Sequence, residues 1–440
     1  MAERRIVVIG TGYVGLTTGA CLASLGHQVL CVDIDVEKID RLRAGRIPML
    51  EPGLADLVRD GQVSGRLEFT VEGDAAVAGA EFLFLCLPTP KGADGGADLR
   101  ATESTVARIR DTLPVGCVVV NKSTVPVGTS VRIAGLLDRP DVAVVSNPEF
   151  LREGSAVTDF LKPDRIVVGA DVPEAGARVA GLYSRLRAPV LVTDAASAEL
   201  VKYVANCFLA MKLSFVNAVA ELCEHFDADV DEVLDAVGRD PRIGRSYLRP
   251  GPGWGGSCLP KDSDAMLRMA DTVGFSFPLL QATIESNAQQ RERVVTKLAT
   301  AFGGSLVGAR VGLLGLTFKA GTNDLRGSPA LAVAELLAAR GAELLACDPT
   351  VAGGTEVDGI TVMDDPYQVA ENAEALVLLT DWPQFRALDW VRMAKFLDGT
   401  VVLDTRNHLD PEKLGSAGLV CHGIGRSLKP RSWTGAPPAG

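Results

Sequence analysis

Cys258 stands in GWGGSCLPKD (253–262), three residues before Lys261 and four before Asp262. A thiolate attacks carbonyl carbons well, and a nearby cation or helix N-terminus lowers a thiol pKa. Glycine and proline crowd DPRIGRSYLRPGPGWGGSCLPKD (240–262), which reads as a shaped loop with a helix starting at about Lys261–Asp262. A lone cysteine is more often a buried apolar thiol, but this polar, glycine-built setting favours a reactive one. Asp262 could accept or relay a proton. Lys202 and Asn206 lie four apart on a helical stretch, as do Glu149 and Glu153 in NPEFLREG (147–154). A desolvated lysine can serve as acid, base or oxyanion partner, and two close carboxylates suit proton handling. Spacing alone fits a snorkelling lysine beside a solvated asparagine equally well, and it fits first-turn acids on a helix dipole better than a carboxylate pair.

Phosphate chemistry is written elsewhere. GTGYVG (10–15) follows an apolar run and opens a helical one. In G-x-G-x-x-G, Gly10 makes the turn, Gly12 admits a pyrophosphate and Gly15 allows close helix packing, with helix N–H groups facing the anion. Asp33 ends the next strand, where a carboxylate binds both ribose hydroxyls and repels a 2′-phosphate, favouring NAD over NADP. KSTVPVGT (122–129) places Ser123 and Thr124 at a strand end, where loops line a ligand crevice, although a Ser/Thr cap is the better reading of that motif alone. In LGLTFKAGTNDLRGSP (314–329), Lys319 and Arg326 frame a turn leading into a helix, a place suited to a second anion.

Strands must hold these loops. RIVVIG (5–10), QVLCVD (28–33), EFLFLCLP (81–88), CVVVNKS (117–123), VAVVSN (142–147) and RIVVG (165–169) read as buried strands alternating with helices, hence a doubly wound parallel sheet. The same order recurs in RVGLLGL (310–316), ELLACD (343–348), EALVLLTDWP (374–383) and TVVLDTRN (400–407). The fold class expected is α/β, two Rossmann-like domains joined by a long central helix. That helix spans 196–226, with Asp194 as N-cap and apolar residues at Leu200, Val201, Val204, Phe208, Phe215, Val219, Leu222 and Phe226, a possible dimer seam. The boundaries read as 1–193 for the dinucleotide domain, 194–300 for the central helical domain, 301–426 for the second Rossmann-like domain and 427–440 for a flexible tail.

The 440 residues are too many for one core, and a net charge of -11 without a basic stripe argues against nucleic acid. No apolar stretch is read as approaching the length of a membrane span, so no membrane partner is expected. The nine cysteines are scattered without C-x-x-C, as buried thiols in a reducing cytoplasm would be, and no metal site is expected.

Together GTGYVG, PTP (88–90), KSTVPVGT, NPEFLREG, the Lys202/Asn206 helix, PGPGWGGSCLPKD (250–262) and FKAGTNDLR (318–326) resemble the UDP-glucose 6-dehydrogenase family over nearly the whole chain, in order. The resemblance implies oxidation of a sugar C6 alcohol to a carboxylate in two NAD-dependent steps. Cys258 would capture the aldehyde as a thiohemiacetal and then carry a thioester. Lys202 and Asn206 would stabilise oxyanions, Asp262 would handle protons, and Glu149 with Thr124 would serve hydrolysis. Gly10, Thr11, Gly12, Tyr13, Val14, Gly15, Asp33, Lys38, Pro88, Thr89, Ser123, Thr124, Glu153, Lys261 and Arg326 would contact NAD. Glu149, Phe150, Leu151, Arg152, Lys202, Asn206, Tyr247, Leu248, Arg249, Gly251, Gly253, Gly255, Phe318, Lys319 and Arg406 would hold the nucleotide sugar. Arg242 would reach it from a partner subunit of a homodimer or higher homo-oligomer. Gly327 departs from the pattern, since many relatives carry an acid there, and PGPG (250–253) looks most like the UDP-glucose branch.

Three other readings stand beside this one. The same chemistry could act on dTDP-glucose, GDP-mannose or UDP-N-acetylmannosamine. A two-electron dehydrogenase would share the N-terminal fingerprint and need no thiol. A regulatory protein could sense NAD and nucleotide sugar without turning them over.

Overall fold

The computed structural model describes residues 3–93 and 95–426, so the expected tail 427–440 lies outside the described residues. Contacts divide the chain into Met1–Cys207 with Lys261–Phe277, and Phe208–Pro260 with Pro278–Gly440.

The first unit carries eight strands: β1 (Arg5–Ile9), β2 (Gln28–Val32), β3 (Leu67–Thr70), β4 (Phe82–Leu85), β5 (Val118–Asn121), β6 (Ala143–Ser146), β7 (Ile166–Ala170) and β8 (Val190–Thr193). Their order is β3-β2-β1-β4-β5-β6-β7-β8. The pairs are parallel except β6 with β7, where Val145 faces Ala170 antiparallel, a departure from the all-parallel expectation. Ile6 and Val8 belong to one apolar cluster and Val7 and Ile9 to another. Successive side chains point to opposite faces, so both faces of this strand are buried, and the strand reads as an unbroken apolar run.

The second unit repeats the plan with β9 (Arg310–Leu314), β10 (Glu343–Cys347), β11 (Glu356–Val357), β12 (Ile360–Val362), β13 (Ala375–Leu378), β14 (Val401–Asp404) and β15 (Val420–Gly423). Their order is β11-β12-β10-β9-β13-β14-β15, parallel apart from the short β11–β12 pair.

The long helix Ala195–His225 starts where expected, with Asp194 Oδ1 accepting from Ser197 N at 2.7 Å. Its apolar stripe, however, faces outward: Phe208 is 58% and Phe215 62% exposed, and Leu200, Val204 and Leu222 are exposed as well. The buried positions include Glu199, Lys202, Tyr203, Asn206, Ser214 and Asn217. Helical period was legible, but which face turns inward was not, because the polar residues find partners inside. By length and composition this helix is also apolar enough to cross a bilayer, which corrects the expectation that no stretch approaches that length. Its buried Lys202 and Glu199, with partners in the first unit, are those of a core helix.

Candidate active site

In the first unit the turn after β1 has the geometry its glycines predict. Gly10 has φ +95°, and a Cβ there would lie 2.5 Å from the Cys86 carbonyl oxygen. A Cβ on Gly15 would come within 1.8 Å of the Gly10 carbonyl oxygen, whereas nothing lies within 4 Å of one on Gly12. The helix Tyr13–Ser24 begins at this open edge. Asp33 Oδ2 accepts from Thr11 N at 2.9 Å, Thr11 Oγ1 at 2.6 Å and Lys38 Nζ at 2.9 Å. Burial works against the carboxylate, but these donors outweigh it and hold the Asp33 pKa below its ordinary value. An ionised carboxylate past the second strand, beside an open glycine turn, fits an NAD ribose and pyrophosphate.

Several residues expected to touch the cofactor also make hydrogen bonds that fix the fold around the turn. The Tyr13 phenol donates to Glu51 and accepts from Gly154 N at 2.8 Å, while Gly154 N also donates to Glu51 Oε2 at 2.7 Å. Burial first, then Glu51, pushes that phenol above its usual range. Glu51, which sequence reading missed, thus ties the glycine turn to the LREG segment. Ser123 Oγ donates to Leu87 O at 2.7 Å and Thr89 Oγ1 to Thr124 O at 2.9 Å, so both hydroxyls fix the turn that presents Pro88 and Thr124. Glu199, also missed, caps the helix Thr129–Leu137 by accepting from Gly128 N and Ser130 N, each at 2.7 Å.

Glu149 and Glu153 do not share a helical turn, because residues 147–152 run as irregular chain and the helix begins only at Ala156. The asparagine–proline start favours extended backbone over helix. Glu149 instead finds Lys202 on the long helix, Oε1 to Nζ 3.0 Å, with the two side chains 6% and 5% exposed. Its Oε2 accepts from Leu151 N at 2.5 Å. Phe150 lies with its ring centre 5.6 Å from Lys202 Nζ, and Arg152 holds Asp159 at 2.6 Å. One helical turn past Lys202, Asn206 Nδ2 donates to Asp262 Oδ2 at 2.6 Å, and Lys261 Nζ donates to Asp262 Oδ1 at 2.6 Å. Lys202, Asn206, Glu149, Asp262 and Lys261 are therefore linked pairwise in one unit, and Lys261 spends its ammonium on Asp262. The arrangement offers buried donors and carboxylates to a reacting oxygen.

In the second unit, Trp254 N donates to Asn287 Oδ1 at 2.8 Å and its indole to Ser214 Oγ at 2.9 Å, while Gly251 N donates to Asn217 Oδ1 at 2.9 Å. A Cβ on Gly255 would meet Gly327 O at 2.1 Å, and one on Gly256 (φ +86°) the Phe318 ring at 2.9 Å. These glycines therefore approach the FKAGTNDLRGS loop. Gly327 has φ +58°, and a Cβ there would lie 2.9 Å from the Gly256 carbonyl oxygen. Cys258 is partly exposed, and the helix Leu259–Thr272 starts directly after it, two residues earlier than expected. Arg406 lies against this loop, where a Gly251 Cβ would be 3.0 Å from its guanidinium. Its Nε donates to Leu379 O at 2.9 Å and its Nη2 to Phe318 O at 3.3 Å, and Lys319 Nζ lies 5.5 Å from the Phe318 ring. Leu248 is buried, Tyr247 has φ +60°, and Arg249 is exposed. Arg326 and Arg242 are both exposed and grip Asp324 and Asp240, each at 2.6 Å. Arg326 also falls in a different unit from GTGYVG.

The second unit has its own acid after β10, but Asp348 Oδ2 already accepts from Leu316 N at 2.8 Å, Thr317 N at 3.0 Å and the Trp382 indole at 3.2 Å. The turn before it reads GLTFKA (315–320), without the G-x-G-x-x-G spacing, so the dinucleotide fingerprint belongs to the first unit.

The chain matches the UDP-glucose/GDP-mannose dehydrogenase family in three parts: the NAD binding domain over residues 4–187, the central domain over 196–289 and the UDP binding domain over 312–411. It is 42% identical to a UDP-glucose 6-dehydrogenase of Bacillus subtilis over 431 residues, covering 96% of this chain and 93% of that protein. Identity is 41% to a UDP-glucose 6-dehydrogenase of Rhizobium meliloti, covering 96% and 99%. A solved UDP-glucose dehydrogenase from Pyrobaculum islandicum superposes with a TM-score of 0.87 at 37% identity, covering 97% and 98%. NAD is the cofactor that the glycine turn and Asp33 fit, and the chain is an NAD-dependent oxidoreductase. It belongs to the UDP-glucose/GDP-mannose dehydrogenase family.

Proposed function

We propose that the chain oxidises UDP-glucose at C6 to UDP-glucuronate, removing four electrons in two steps. The observation that carries the reading is the buried Glu149–Lys202 pair one turn from Asn206–Asp262, in a chain whose Cys258 directly precedes the helix that carries Asp262. NAD supplies the hydride acceptor in both steps. Asp262 takes the proton of the C6 hydroxyl, and Lys202 and Asn206 donate to the oxygen as it gains charge. The Cys258 thiolate then adds to the aldehyde carbon and forms a thiohemiacetal. Loss of hydride from that carbon leaves a thioester on Cys258. Glu149, with Thr124, orients and deprotonates water, which releases the acid and restores the thiol. Arg406, Lys319 and the loop Tyr247–Gly255 hold the nucleotide.

The exposed apolar stripe on the long helix supports a homodimer, and free cysteines that are buried apart from Cys258 and Cys421 support a cytoplasmic setting. Incubation with NAD and a panel of UDP-, dTDP- and GDP-sugars, followed at the NADH absorbance band, tests the reading. Turnover is expected with UDP-glucose foremost. A preference for another sugar would move the substrate assignment, and no turnover on any of them would remove the catalytic one.

A further inference from the structure

Lys122 follows β5 and stays inside the protein, 5% exposed. Its Nζ donates to Asn147 Oδ1 at 3.2 Å, an oxygen that also accepts from the Tyr183 hydroxyl at 2.5 Å. Asn147 is fixed in turn by donating from Nδ2 to Val167 O at 2.7 Å. The rings of Phe160 and Tyr183 lie 5.9 and 5.8 Å from the ammonium. Among the described residues no carboxylate pairs directly with Lys122. One shared amide oxygen and two ring faces are thin compensation for a buried ammonium, so structure alone gives little reason to place a lysine here.

The ionisable groups that act on it come from four places: Glu149 beyond β6, Lys202 on the long helix, Cys86 beyond β4, and Tyr183 after the helix Pro173–Leu182. Burial is the largest influence and brings the Lys122 pKa down to about 8, with Glu149 opposing that shift and Lys202 adding to it.

We propose that Lys122, bound to Asn147 two residues before Glu149, is a positioning residue that adds a second positive charge to the Glu149–Lys202 pair. With it protonated, the three groups carry a net positive charge while an oxyanion forms on the substrate. With it neutral, the pair stands alone and its field at the oxygen weakens. The inference rests on the reading of Glu149 and Lys202 as catalytic groups.

Its test is the pH dependence of kcat and KM for Lys122→Met, Lys122→Arg and Glu149→Gln beside the wild type. Wild-type kcat should fall as pH rises through about 8. Lys122→Met should lose about tenfold in kcat below that pH and lose the basic limb, with both KM values within about twofold. Lys122→Arg, whose guanidinium stays charged throughout the assay range, should extend the plateau to higher pH. Wild-type kcat and an unmoved basic limb in Lys122→Met would overturn the proposal. If that variant does not fold, an unmoved limb in Lys122→Arg overturns it equally. Glu149→Gln separates the two levels: unimpaired turnover in that variant sinks the reading of the site and the Lys122 inference together. Its inactivity beside wild-type behaviour of the Lys122 variants sinks only the inference.

Discussion

Lys202 Nζ lies 3.0 Å from Glu149 Oε1, and neither side chain is more than 6% exposed. Each charge has left water and depends on the other. Removing Lys202 takes the ion-pair partner from a buried carboxylate, and breaking a buried pair costs about 3–5 kcal/mol. Lys202→Ala should therefore lower Tm and reduce kcat by about 10²–10³. Lys202→Met combined with Glu149→Leu should regain most of the lost Tm but no activity. Calorimetry and NADH kinetics on the same preparations check this, and recovered turnover in the double variant would contradict it.

Cys258 and Cys421 are the partly exposed thiols. Cys258→Ser should fail to release the acid at more than about a thousandth of the wild-type rate, since an alkoxide is a poorer leaving group than a thiolate. Cys421→Ser should keep wild-type turnover. Alkylation mapped by mass spectrometry should modify Cys258 more slowly when nucleotide sugar is present. Unimpaired Cys258→Ser turnover would remove covalent capture.

Asp33 binds three donors, and its folded pKa lies below its ordinary value. Because the unfolded chain binds that proton more readily, the group adds stability fully above about pH 4, and the contribution is lost as pH falls through the folded value. Asp33→Asn should flatten this acid-side loss in urea titrations. It should also raise KM for NAD by about tenfold or more and leave KM for the sugar within about twofold. An unchanged KM for NAD would contradict the ribose assignment.

Phe208 and Phe215 lie seven residues apart on the long helix, 58% and 62% exposed. If this stripe is a homodimer seam, Phe208→Asp with Phe215→Asp should shift sedimentation from dimer to monomer. A monomeric wild type, or a dimer indifferent to both charges, would place the seam elsewhere.

How much of this was readable beforehand follows from which forces act locally. β1, β2, β4 and β5 were legible because both their faces are buried and the runs are apolar throughout. β3 (LEFT) and β8 (VLVT) escaped notice, one for its alternation and the other for lying exposed at a sheet edge. The four-residue spacing put Lys202 and Asn206 on one face, but Glu149 is 53 positions from its lysine and only folding pairs them. Glu51 and Glu199 carried no pattern, since each is a single polar residue whose partners are distant in sequence, and Lys122 stood in KSTVPVGT without a role of its own. Arg326 and Arg242 illustrate the opposite limit: motifs name them, and in the structure each also grips the aspartate two positions before it.

The central claim is a four-electron oxidation. NADH formed per UDP-glucose consumed, measured to completion with excess NAD and with the acid product identified by mass spectrometry, tests it directly. The account predicts two NADH per sugar and UDP-glucuronate as the product. One NADH per sugar, with an aldehyde or ketone product, would contradict it.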